Sequence, residues 1–417
     1  MKQVYYQLKL TQLAPMRISG GNIYESGTTD LDILTDGRGL PYIPGSALAG
    51  VLRSMLTEQD AKDAFGYIDQ EKKEIRASRV TVSDAVLKDG TGVRKSIRDG
   101  VRLNDDGTVV DTGKYDYEVV ESTKAYTAIL ETSDEMANGI LEKLLSTVVK
   151  HGLSVGGRTS RGFGELSVSV FEKSFVLPKD TNAWVDWDPF AETAFAETDA
   201  FKPVDDALSG TQTVYVEADL EVIGTLMIRV PREGDKVNYE GLRNAENKAV
   251  IPGTTWAGVL RHHMRKLARE VGWTDAPEKI NALFGIDNEE DAQYSKSKLF
   301  VSETTLEGSR AYDYTRNALD RFTMAPRNSA LYAERILHGG TGTIKLRIPA
   351  EGDPQVLSLL MAAIQDLHNG LVPLGGEGNV GRGRIRFSRM TVNEEDCMEA
   401  LNRCDLIKRA EEVCARG

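Results

Sequence analysis

Hydrophobic and polar residues alternate over short stretches at both ends of each half of the chain. The first half opens with Val4 to Leu10 and closes with Glu165 to Val170. The second half opens with Val214 to Val222 and closes with Gly383 to Phe387. Alternation with a period of two is typical of strands with one buried face. The pattern therefore predicts that each half begins and ends with a strand.

Apolar residues at helical spacing lie between these strands. Two helices are predicted in each half, and a helical tail is predicted after the last strand. Their expected ranges are Gly45 to Leu56 and Glu142 to Lys150, Thr255 to Val271 and Asp353 to Asn369, and, for the tail, Asn393 to Cys414. Segments that begin and end with a strand and contain two helices are typical of α+β domains of the ferredoxin-like (RRM-like) type.

One long motif occurs twice in the chain. The stretch Ile43 to Arg53, which begins Ile-Pro-Gly, returns as Ile251 to Arg261, 208 residues later. An ordered internal repeat of this kind indicates two similar domains in tandem. Further matches follow at a constant offset of 219: Phe65-Gly66 with Phe284-Gly285, Ser83 with Ser302, Arg102 with Arg321, Gly156-Gly157 with Gly375-Gly376, and Gly162 and Gly164 with Gly381 and Gly383.

The length of 417 residues also suits two domains of about 150 to 200 residues each. We predict an N-terminal domain over 1–177, an acidic linker over 178–213, a C-terminal domain over 214–392 and a helical tail over 393–417. The linker combines many acidic residues with aromatic ones. So many apolar rings favour a linker that docks on a domain surface over a free tether.

The net charge of −12 argues against a free-standing nucleic-acid binder, because phosphate affinity comes largely from Lys and Arg. A groove can nevertheless be basic on an acidic protein. The three cysteines all lie in the last 21 residues at spacings that fit neither a zinc ribbon nor a redox pair. The five histidines form no metal cage and no Ser-His-Asp set.

No run approaches the ~18 apolar residues that a membrane helix needs. The first residues, Met1 to Tyr6, alternate like a strand and do not resemble a signal peptide. We therefore expect a cytoplasmic protein with no membrane partner.

Two glycine-rich loops, Gly156 to Gly164 and Gly375 to Arg384, each follow a predicted helix and precede a predicted strand. Glycine lets backbone amides approach a ligand closely, and arginine offers planar, permanently charged contacts for phosphate. Neither a Walker motif nor a Rossmann motif fits, since Phe163 stands where a Walker lysine should be and both loops lead into a strand. A glycine-rich turn without a ligand is the alternative, but two such loops with arginines favour ligand binding.

Together these motifs resemble the RAMP superfamily of CRISPR-associated proteins, especially the backbone subunits of type III effector complexes. Two fused units in one chain resemble the multi-domain backbone subunits of type III-D systems. The resemblance is carried by Pro41 to Ser46 with its helix, by Phe65-Gly66, by Arg98 to Asn104 and by the glycine loop, all repeated in degraded form in the second half.

The resemblance implies two RRM-like domains that bind guide RNA and target single-stranded RNA beside other effector subunits. The helix after each Pro-Gly turn and each glycine loop would face the guide backbone, and a β-hairpin thumb would wedge between guide and target. The RNA-binding candidates are Ser46, Arg53, Gly156, Gly157, Arg158, Arg161, Thr254, Arg261, Gly375, Gly376, Arg382 and Arg384. The thumbs would span Ser96 to Leu130 and Arg310 to Leu337, with Arg98, Arg102, Arg316, Arg321, Phe322, Met324 and Arg327 as contact candidates. A surface hairpin packed on its own domain is the alternative.

In catalytic members of the family, an aspartate in the loop before the Pro-Tyr-Ile-Pro-Gly turn is required for metal-dependent cleavage of target RNA. The family pattern places it six residues ahead of a second aspartate, as Asp30 stands ahead of Asp36. Asp30 is therefore the leading catalytic and metal-binding candidate, with Mg²⁺ as the expected ion. Asp32 is the alternate, and Asp36, in an Asp-Gly pair, is expected to form a turn. Solvated loop carboxylates are the alternative for all three.

The second copy departs from this pattern. The equivalent positions are occupied by Asn238 and Asn244, so we predict a C-terminal domain that binds RNA without cutting it, unless Asp235 takes over. Two other functions stay open. One is a purely structural guide-RNA scaffold. The other is a stand-alone endonuclease for precursor guide RNA, which would commonly need a histidine acid and base; His151 is the only histidine near these loops.

Overall fold

The computed structural model describes residues 1–19, 32–69, 73–103, 109–204, 213–231, 237–288, 293–350 and 352–414. The chain forms two compact units. The first unit comprises residues 1–97, 115–159 and 163–210, and the second comprises 98–114, 160–162 and 211–417.

The first half of the chain contains nine strands and four α-helices within the described residues. The strands are β1 Lys2–Gln12, β2 Tyr67–Asp69, β3 Glu74–Arg76, β4 Val80–Val82, β5 Arg94–Leu103, β6 Val109–Ser122, β7 Tyr126–Thr132, β8 Leu153–Ser154 and β9 Glu165–Val176. The helices are α1 Gly45–Ser54, α2 Glu58–Phe65, α3 Glu135–His151 and α4 Thr181–Val185.

The second half repeats the plan with additions. Its strands are β10 Thr213–Ile223, β11 Thr225–Leu226, β12 Arg229–Pro231, β13 Tyr239–Gly241, β14 Ala249–Ile251, β15 Ile286–Asn288, β16 Gln293–Ser295, β17 Phe300–Val301, β18 Thr304–Leu306, β19 Arg310–Leu319, β20 Pro326–His338, β21 Thr341–Pro349, β22 Arg384–Val392 and β23 Glu395–Asp396. Its helices are α5 Gly253–Glu270, α6 Ala276–Phe284, α7 Pro354–His368, α8 Met398–Asn402 and α9 Leu406–Cys414.

Each unit is built on an antiparallel sheet with the strand order of a ferredoxin-like fold. In the first, β1 lies between β9 and β7, and β4 lies outside β7. In the second, β10 lies between β22 and β21, and β17 lies outside β21. A long hairpin is inserted before the third strand of each sheet, β5–β6 in one and β19–β20 in the other. The α+β ferredoxin-like prediction is confirmed for both halves.

The helices cover one face of each sheet and supply the core. In the first unit Leu8 and Leu130 of the sheet and Leu144 of α3 are all fully buried in one cluster. In the second, Leu220 of β10 and Leu360 of α7 belong to the corresponding cluster. The predicted helical tail is two helices, α8 and α9, whose apolar residues join this second core.

The linker covers the other face of the first sheet. Trp187 lies 4.8 Å from Tyr5 and 5.1 Å from Phe175, measured between ring centroids, and the indole of Trp184 donates a hydrogen bond to the Tyr5 hydroxyl at 2.9 Å. Residues 3–8 of β1 are consequently buried on both faces. Strand β10 keeps strict alternation, and Tyr215 on its open face is 49% exposed. The expectation that the linker docks is confirmed.

Among the described residues, no helix is long and apolar enough to cross a membrane.

Candidate nucleic-acid interface

The Pro-Gly turn of the duplicated motif starts a helix in both units. Helix α1 begins at Gly45 after Pro44, and α5 begins at Gly253 after Pro252. A Cβ on Gly45 would lie 2.5 Å from the carbonyl oxygen of Val82, and one on Gly253 would lie 2.5 Å from that of Val301. Only glycine lets the helix start this close to the neighbouring strand. The motif therefore has a packing reason independent of any ligand.

The RNA-binding candidates on these helices differ in availability. Ser46 is exposed at the start of α1, and Thr254 is half-buried at the start of α5. Arg53 is half-buried and lines an open groove beside α2. Arg261 donates to the side-chain oxygen of Asn281 at 2.7 Å. Arg53 and Arg261 are thus equivalent in sequence but differ in their side-chain contacts.

The two glycine loops share one backbone geometry. The amide of Gly157 donates to the carbonyl of Arg17 at 2.7 Å, and the amide of Gly376 donates to that of Met227 at 2.8 Å. A Cβ on Gly164 would lie 1.9 Å from the Val155 carbonyl oxygen, and one on Gly383 would meet Leu374 in the same way. The loops are thus held against the chain that follows the first strand of each sheet. The conserved spacing of the glycines within the repeat reflects that close approach.

At the first loop, Arg158 of the loop and Arg17, which follows β1, lie over tyrosines of the hairpin strand β6. The guanidinium carbon of Arg158 lies 4.2 Å from the ring centroid of Tyr117 and 5.0 Å from that of Tyr115, and Arg158 also donates to the Tyr115 hydroxyl at 2.5 Å. The Arg17 guanidinium lies 5.5 Å from the Tyr117 centroid. Tyr117 in turn packs on Phe163 in a small buried cluster.

Arg17 is nine-tenths buried, and its Nε has no hydrogen-bond partner within the described parts of the chain. Burial, and then the positive charge of nearby Arg158, lower its pKa. Among the residues that the structure describes, neither Arg17 nor Arg158 is paired with a carboxylate. Two adjacent positive charges without an anion form a site that a phosphate would stabilise.

In the second loop, the equivalent positions carry a network of ions. Glu377 adopts the same left-handed backbone as Arg158, with φ of 61° at both. Its carboxylate lies 2.6 Å from Arg229 and 2.6 Å from Arg382, and Arg382 also pairs with Glu334 at 3.2 Å. Arg316 lies 3.6 Å from Glu377 and 3.9 Å from Glu334. The thumb candidate Arg316 and the loop candidate Arg382 are therefore engaged by carboxylates.

Glu334 and Arg382 are almost completely buried, with side chains 1% and 3% exposed. Burial first, and then the neighbouring carboxylate of Glu377, raise the pKa of Glu334 to about 7, against the opposing effect of the arginines. This geometry favours a structural role for Arg382. Arg384, at the start of β22, is exposed, and Gly375 and Gly376 are half-buried beside it.

Two further candidates, Arg161 and Arg98, belong to the second compact unit. Arg161 donates to the carbonyls of Phe284 at 2.9 Å and Leu299 at 3.3 Å and to the hydroxyl of Ser297 at 3.1 Å. Arg98, which is 3% exposed, forms a two-pronged ion pair with Glu303. Both guanidinium groups are thus used in protein contacts.

The predicted thumbs are antiparallel hairpins. In the second, β19 and β20 pair from Arg310 and His338 towards a tip whose turn is closed by Asp320. The Asp320 carboxylate accepts from the amides of Phe322 and Thr323, and its carbonyl accepts from the amide of Met324. This turn presents Phe322, 90% exposed, and Met324, 69% exposed, with Arg321 and Arg327 exposed beside them. The tip of the first hairpin and the side chain of Arg102 lie outside the described residues.

The loop before the Pro-Gly turn has the same hydrogen bonds in both repeats. The side chain of Asp36 accepts from the amides of Arg38 at 2.8 Å and Leu40 at 3.0 Å, and that of Asn244 accepts from Glu246 and Lys248, both at 3.0 Å. Burial acts to raise the pKa of Asp36, but bonds from the Arg38 side chain and from both amides outweigh it, so the pKa lies below its usual value. The turn-forming expectation for Asp36 is confirmed.

The equivalence fixes the alignment of the two loops at an offset of 208. Asn238, the counterpart of Asp30, pairs with Ala333 of strand β20: its amide donates to the Ala333 carbonyl at 2.8 Å, and its side chain accepts from the Ala333 amide at 3.0 Å. Asp30 and Asp235 lie outside the described residues, and Asp32 is half-buried. Across the described parts of the chain, no three His, Cys, Asp or Glu side chains are grouped so as to hold a metal ion.

A family model of the RAMP superfamily matches residues 9–167 and 219–386. The chain belongs to the RAMP superfamily. The two matched regions coincide with the two repeats, and membership makes this a CRISPR-associated RNA-binding protein of a family that typically binds CRISPR RNA and complex partners. No curated protein matches the chain.

Several residues around the two glycine loops of this RAMP protein were missed in the sequence, chiefly Arg17, Tyr115, Tyr117, Glu334 and Arg229. Two signals could have found them. Tyr115 and Tyr117 share one face of a strand because they are two residues apart. Arg158 and Glu377 occupy the same repeat position with opposite charge, which implies that their partners differ as well.

Proposed function

We propose that this protein is a guide-RNA-binding backbone subunit of a type III CRISPR effector used in antiviral defence. The observation that carries the proposal is the pair Arg17 and Arg158 at the first glycine loop. Both guanidinium groups lie over Tyr117, close to each other and without a carboxylate among the described residues. A backbone phosphate of RNA would complete this arrangement, since Arg matches phosphate geometry and its charge is permanent.

The test is the salt dependence of binding to a fluorescently labelled single-stranded RNA. Arg158→Ala removes one phosphate contact and should lower the slope of log affinity against log salt by about 0.7. Arg403→Ala is the matched control, because Arg403 is exposed on the tail and pairs with Glu399 of the same helical turn. Equal slopes for both variants would contradict the proposal.

The second hairpin is proposed to contact target RNA. Phe322 and Met324 are too exposed to contribute to the fold, and an aromatic ring beside arginines suits stacking on an unpaired base. Phe322→Ala should weaken binding of a guide–target pair by about 1 to 3 kcal/mol and leave binding of the guide alone unchanged. Equal losses for guide alone and for guide with target would show that the tip does not distinguish the two.

We further propose that the first domain cleaves target RNA at one site through Asp30, within the assembled complex. Support comes from the asymmetry of the repeats: the loops align through Asp36 and Asn244, yet the second repeat has Asn238 at the position of Asp30. The Asp30 carboxylate would orient the attacking 2′-hydroxyl of the RNA. A divalent ion held by Asp30, with Mg²⁺ expected, would stabilise the charge that develops on the phosphate.

The cleavage proposal is tested in the reconstituted guide complex with magnesium. Asp30→Asn should abolish one cut, whereas Asp32→Asn and Asp235→Asn should leave the pattern unchanged while all three variants assemble. Survival of every cut in Asp30→Asn would leave the chain as a non-catalytic scaffold. Two tandem RAMP domains in one chain also favour the type III-D arrangement, in which the neighbours would be other backbone subunits in the cytoplasm.

A further inference from the structure

The second compact unit holds an arginine in a defined groove. Arg161 lies over the ring of Phe284 at 5.9 Å and donates to the carbonyls of Phe284 and Leu299 and to the hydroxyl of Ser297. The backbone next to Arg161 also packs closely on a neighbouring segment of the chain, since a Cβ on Gly162 would lie 2.4 Å from the amide nitrogen of Glu303. Three oxygen acceptors and an aromatic ring thus surround one guanidinium group.

The first unit contains the same groove. Ser297 donates to the carbonyls of Leu283 and Leu299, and its counterpart Ser78 donates to those of Ala64 and Val80. At the constant offset of 219, the acceptors for a guanidinium would be the Phe65 carbonyl, the Ser78 hydroxyl and the Val80 carbonyl. Local hydrogen bonding has therefore built an equivalent set of acceptors in both units.

In the first unit this region is open. Its groove of about 1000 Å³ is lined by Phe65 and Gly66 at the end of α2, by Arg76 and Ala77 just before Ser78, and by Arg53 of α1. Ile68 and Ile75, paired across β2 and β3 at its mouth, are 72% and 78% exposed. The two isoleucines face each other across the strand pair and form a small exposed apolar patch beside the groove.

Carboxylates neutralise two of the three cations that line the groove, the third being Arg53. Arg76 is neutralised by Asp63 at 2.7 Å, and Lys62 by Glu58 at 2.6 Å. In the second unit Arg261, the counterpart of Arg53, donates to the side-chain oxygen of Asn281, as does Arg265. In the second unit, two carbonyl oxygens and one hydroxyl accept hydrogen bonds from the guanidinium group of Arg161.

The chain's own second glycine loop lacks the required residue. Position 380 corresponds to 161 and is a valine, 55% exposed, and a Cβ on Gly381 would meet nothing within 4 Å. A second copy of this chain would therefore bring an exposed loop but no guanidinium to the groove.

We propose that the groove of the first unit binds an arginine on a glycine-rich loop of a different RAMP-superfamily subunit. The inference rests on the proposed role as one subunit of an assembly, but not on RNA binding or cleavage. The partner's loop would insert as Arg161 does, with its backbone against Ser83 and its guanidinium on Phe65, Ser78 and Val80, while its flanking apolar residues cover Ile68 and Ile75.

The experiment converts the second loop into a matching guest. Val380→Arg in the full chain without RNA should produce association that grows with concentration, measured by sedimentation velocity, whereas the wild type should associate at least tenfold more weakly. Val380→Lys is the matched control, since lysine carries the charge without the planar fork. Ser78→Arg in the same chain should abolish the association by filling the groove, and Ile75→Arg, at an exposed position that leaves the fold intact, should weaken it.

A cyclic peptide carrying residues 157–164 provides a second measurement on the wild-type chain. It should shift the methyl resonances of Ile68 and Ile75, and the peptide with Arg161→Ala should bind at least tenfold more weakly. The inference is overturned if Val380→Arg sediments as the wild type does and both peptides bind equally or not at all. Failure of the wild-type chain to bind RNA, with the association of Val380→Arg intact, would instead contradict the proposed function, so the two failures are distinguishable.

Discussion

The first and second glycine loops have the same backbone conformation, but different side-chain contacts attach them to their hairpins. In the first unit, Phe163 packs on Tyr117 and Arg158 stacks above it. In the second, the same positions are Arg382, Glu334 and Glu377, joined as buried ion pairs. The aromatic attachment leaves positive charge for a ligand, whereas the ionic attachment consumes it within the protein. One duplicated geometry can therefore serve two roles.

Breaking the ionic attachment should have the largest effect. Arg382→Leu removes the arginine closest to the buried Glu334 and leaves only the more distant Arg229 and Arg316 beside it. It should destabilise the second unit by about 3 to 5 kcal/mol, because a poorly compensated buried charge is costly. Hydrogen exchange in β20 and β22 measures the loss. Arg403→Leu, at an exposed site, should change stability by less than about 0.5 kcal/mol.

Removing both ions sharpens this test. Arg382→Leu combined with Glu334→Leu should be less destabilising than the single change, since replacing a buried pair by apolar residues is often neutral. A double variant that loses more than the single variant would show that the charges hold the loop by something other than mutual neutralisation.

Breaking the aromatic attachment should cost somewhat less. Phe163 is 1% exposed, and Phe163→Ala should destabilise the first unit by about 3 kcal/mol through the cavity it leaves. Hydrogen exchange in β9 provides the measurement. Phe190→Ala is the matched control, because Phe190 is 68% exposed on the linker. Similar losses in the two variants would mean that the buried ring does not anchor the loop.

The two attachments should also differ in their response to pH. Glu334 has a pKa raised from 4.5 to about 7 in the folded protein. Between these values the unfolded side chain ionises while the folded one keeps its proton, so stability falls as pH rises through that interval. We expect a loss of about 1 to 3 kcal/mol in the second unit from pH 4.5 to 7.5. Glu334→Gln should flatten this dependence, measured by hydrogen exchange in β20 and β22, and an unchanged profile in Glu334→Gln would assign the effect to another group.

The smallest expected effect concerns the stacked arginine. Arg158→Met keeps the length of the side chain and removes its charge, and should cost about 0.5 to 1 kcal/mol, the usual value of a partly exposed cation–π contact. Glu377→Met, the equivalent change in the second loop, should cost more because it leaves Arg382 with fewer partners. The hydrogen-exchange rates of the Gly157 and Gly376 amides measure the two losses of stability. Equal losses in the two variants would remove the distinction between the loops.

Much of the fold was predictable because the repeat shows it twice. The strands at 4–10 and 214–222 and the helix after each Pro-Gly turn occur where period and spacing placed them. The two hairpins were expected from the family resemblance, and the first expected range, Ser96 to Leu130, extends beyond the hairpin into strand β7. Helix α3 is longer than predicted, beginning at Glu135, because Asp134 caps it by accepting from the amide of Ala137. The first two turns of α3 contain polar and small residues, so the hydrophobic periodicity did not reveal where the helix begins.

The roles of the arginines were less predictable. Arg98, Arg161, Arg316 and Arg382 looked equivalent to Arg158 in the sequence, yet each is engaged by carboxylate or backbone carbonyl oxygens. Asp30, the leading catalytic candidate, stays a prediction outside the described residues.

The sequence by itself determined the duplication, the ferredoxin-like units and the position of each loop, since periodicity, glycine and turn-forming residues act locally. Only the tertiary structure decided which charges remain for a ligand. That depends on what lies opposite each side chain: tyrosine faces Arg158 and leaves its charge available, whereas glutamate faces Arg382 and neutralises it. Such partners lie more than forty residues away in the chain, where no local pattern connects them.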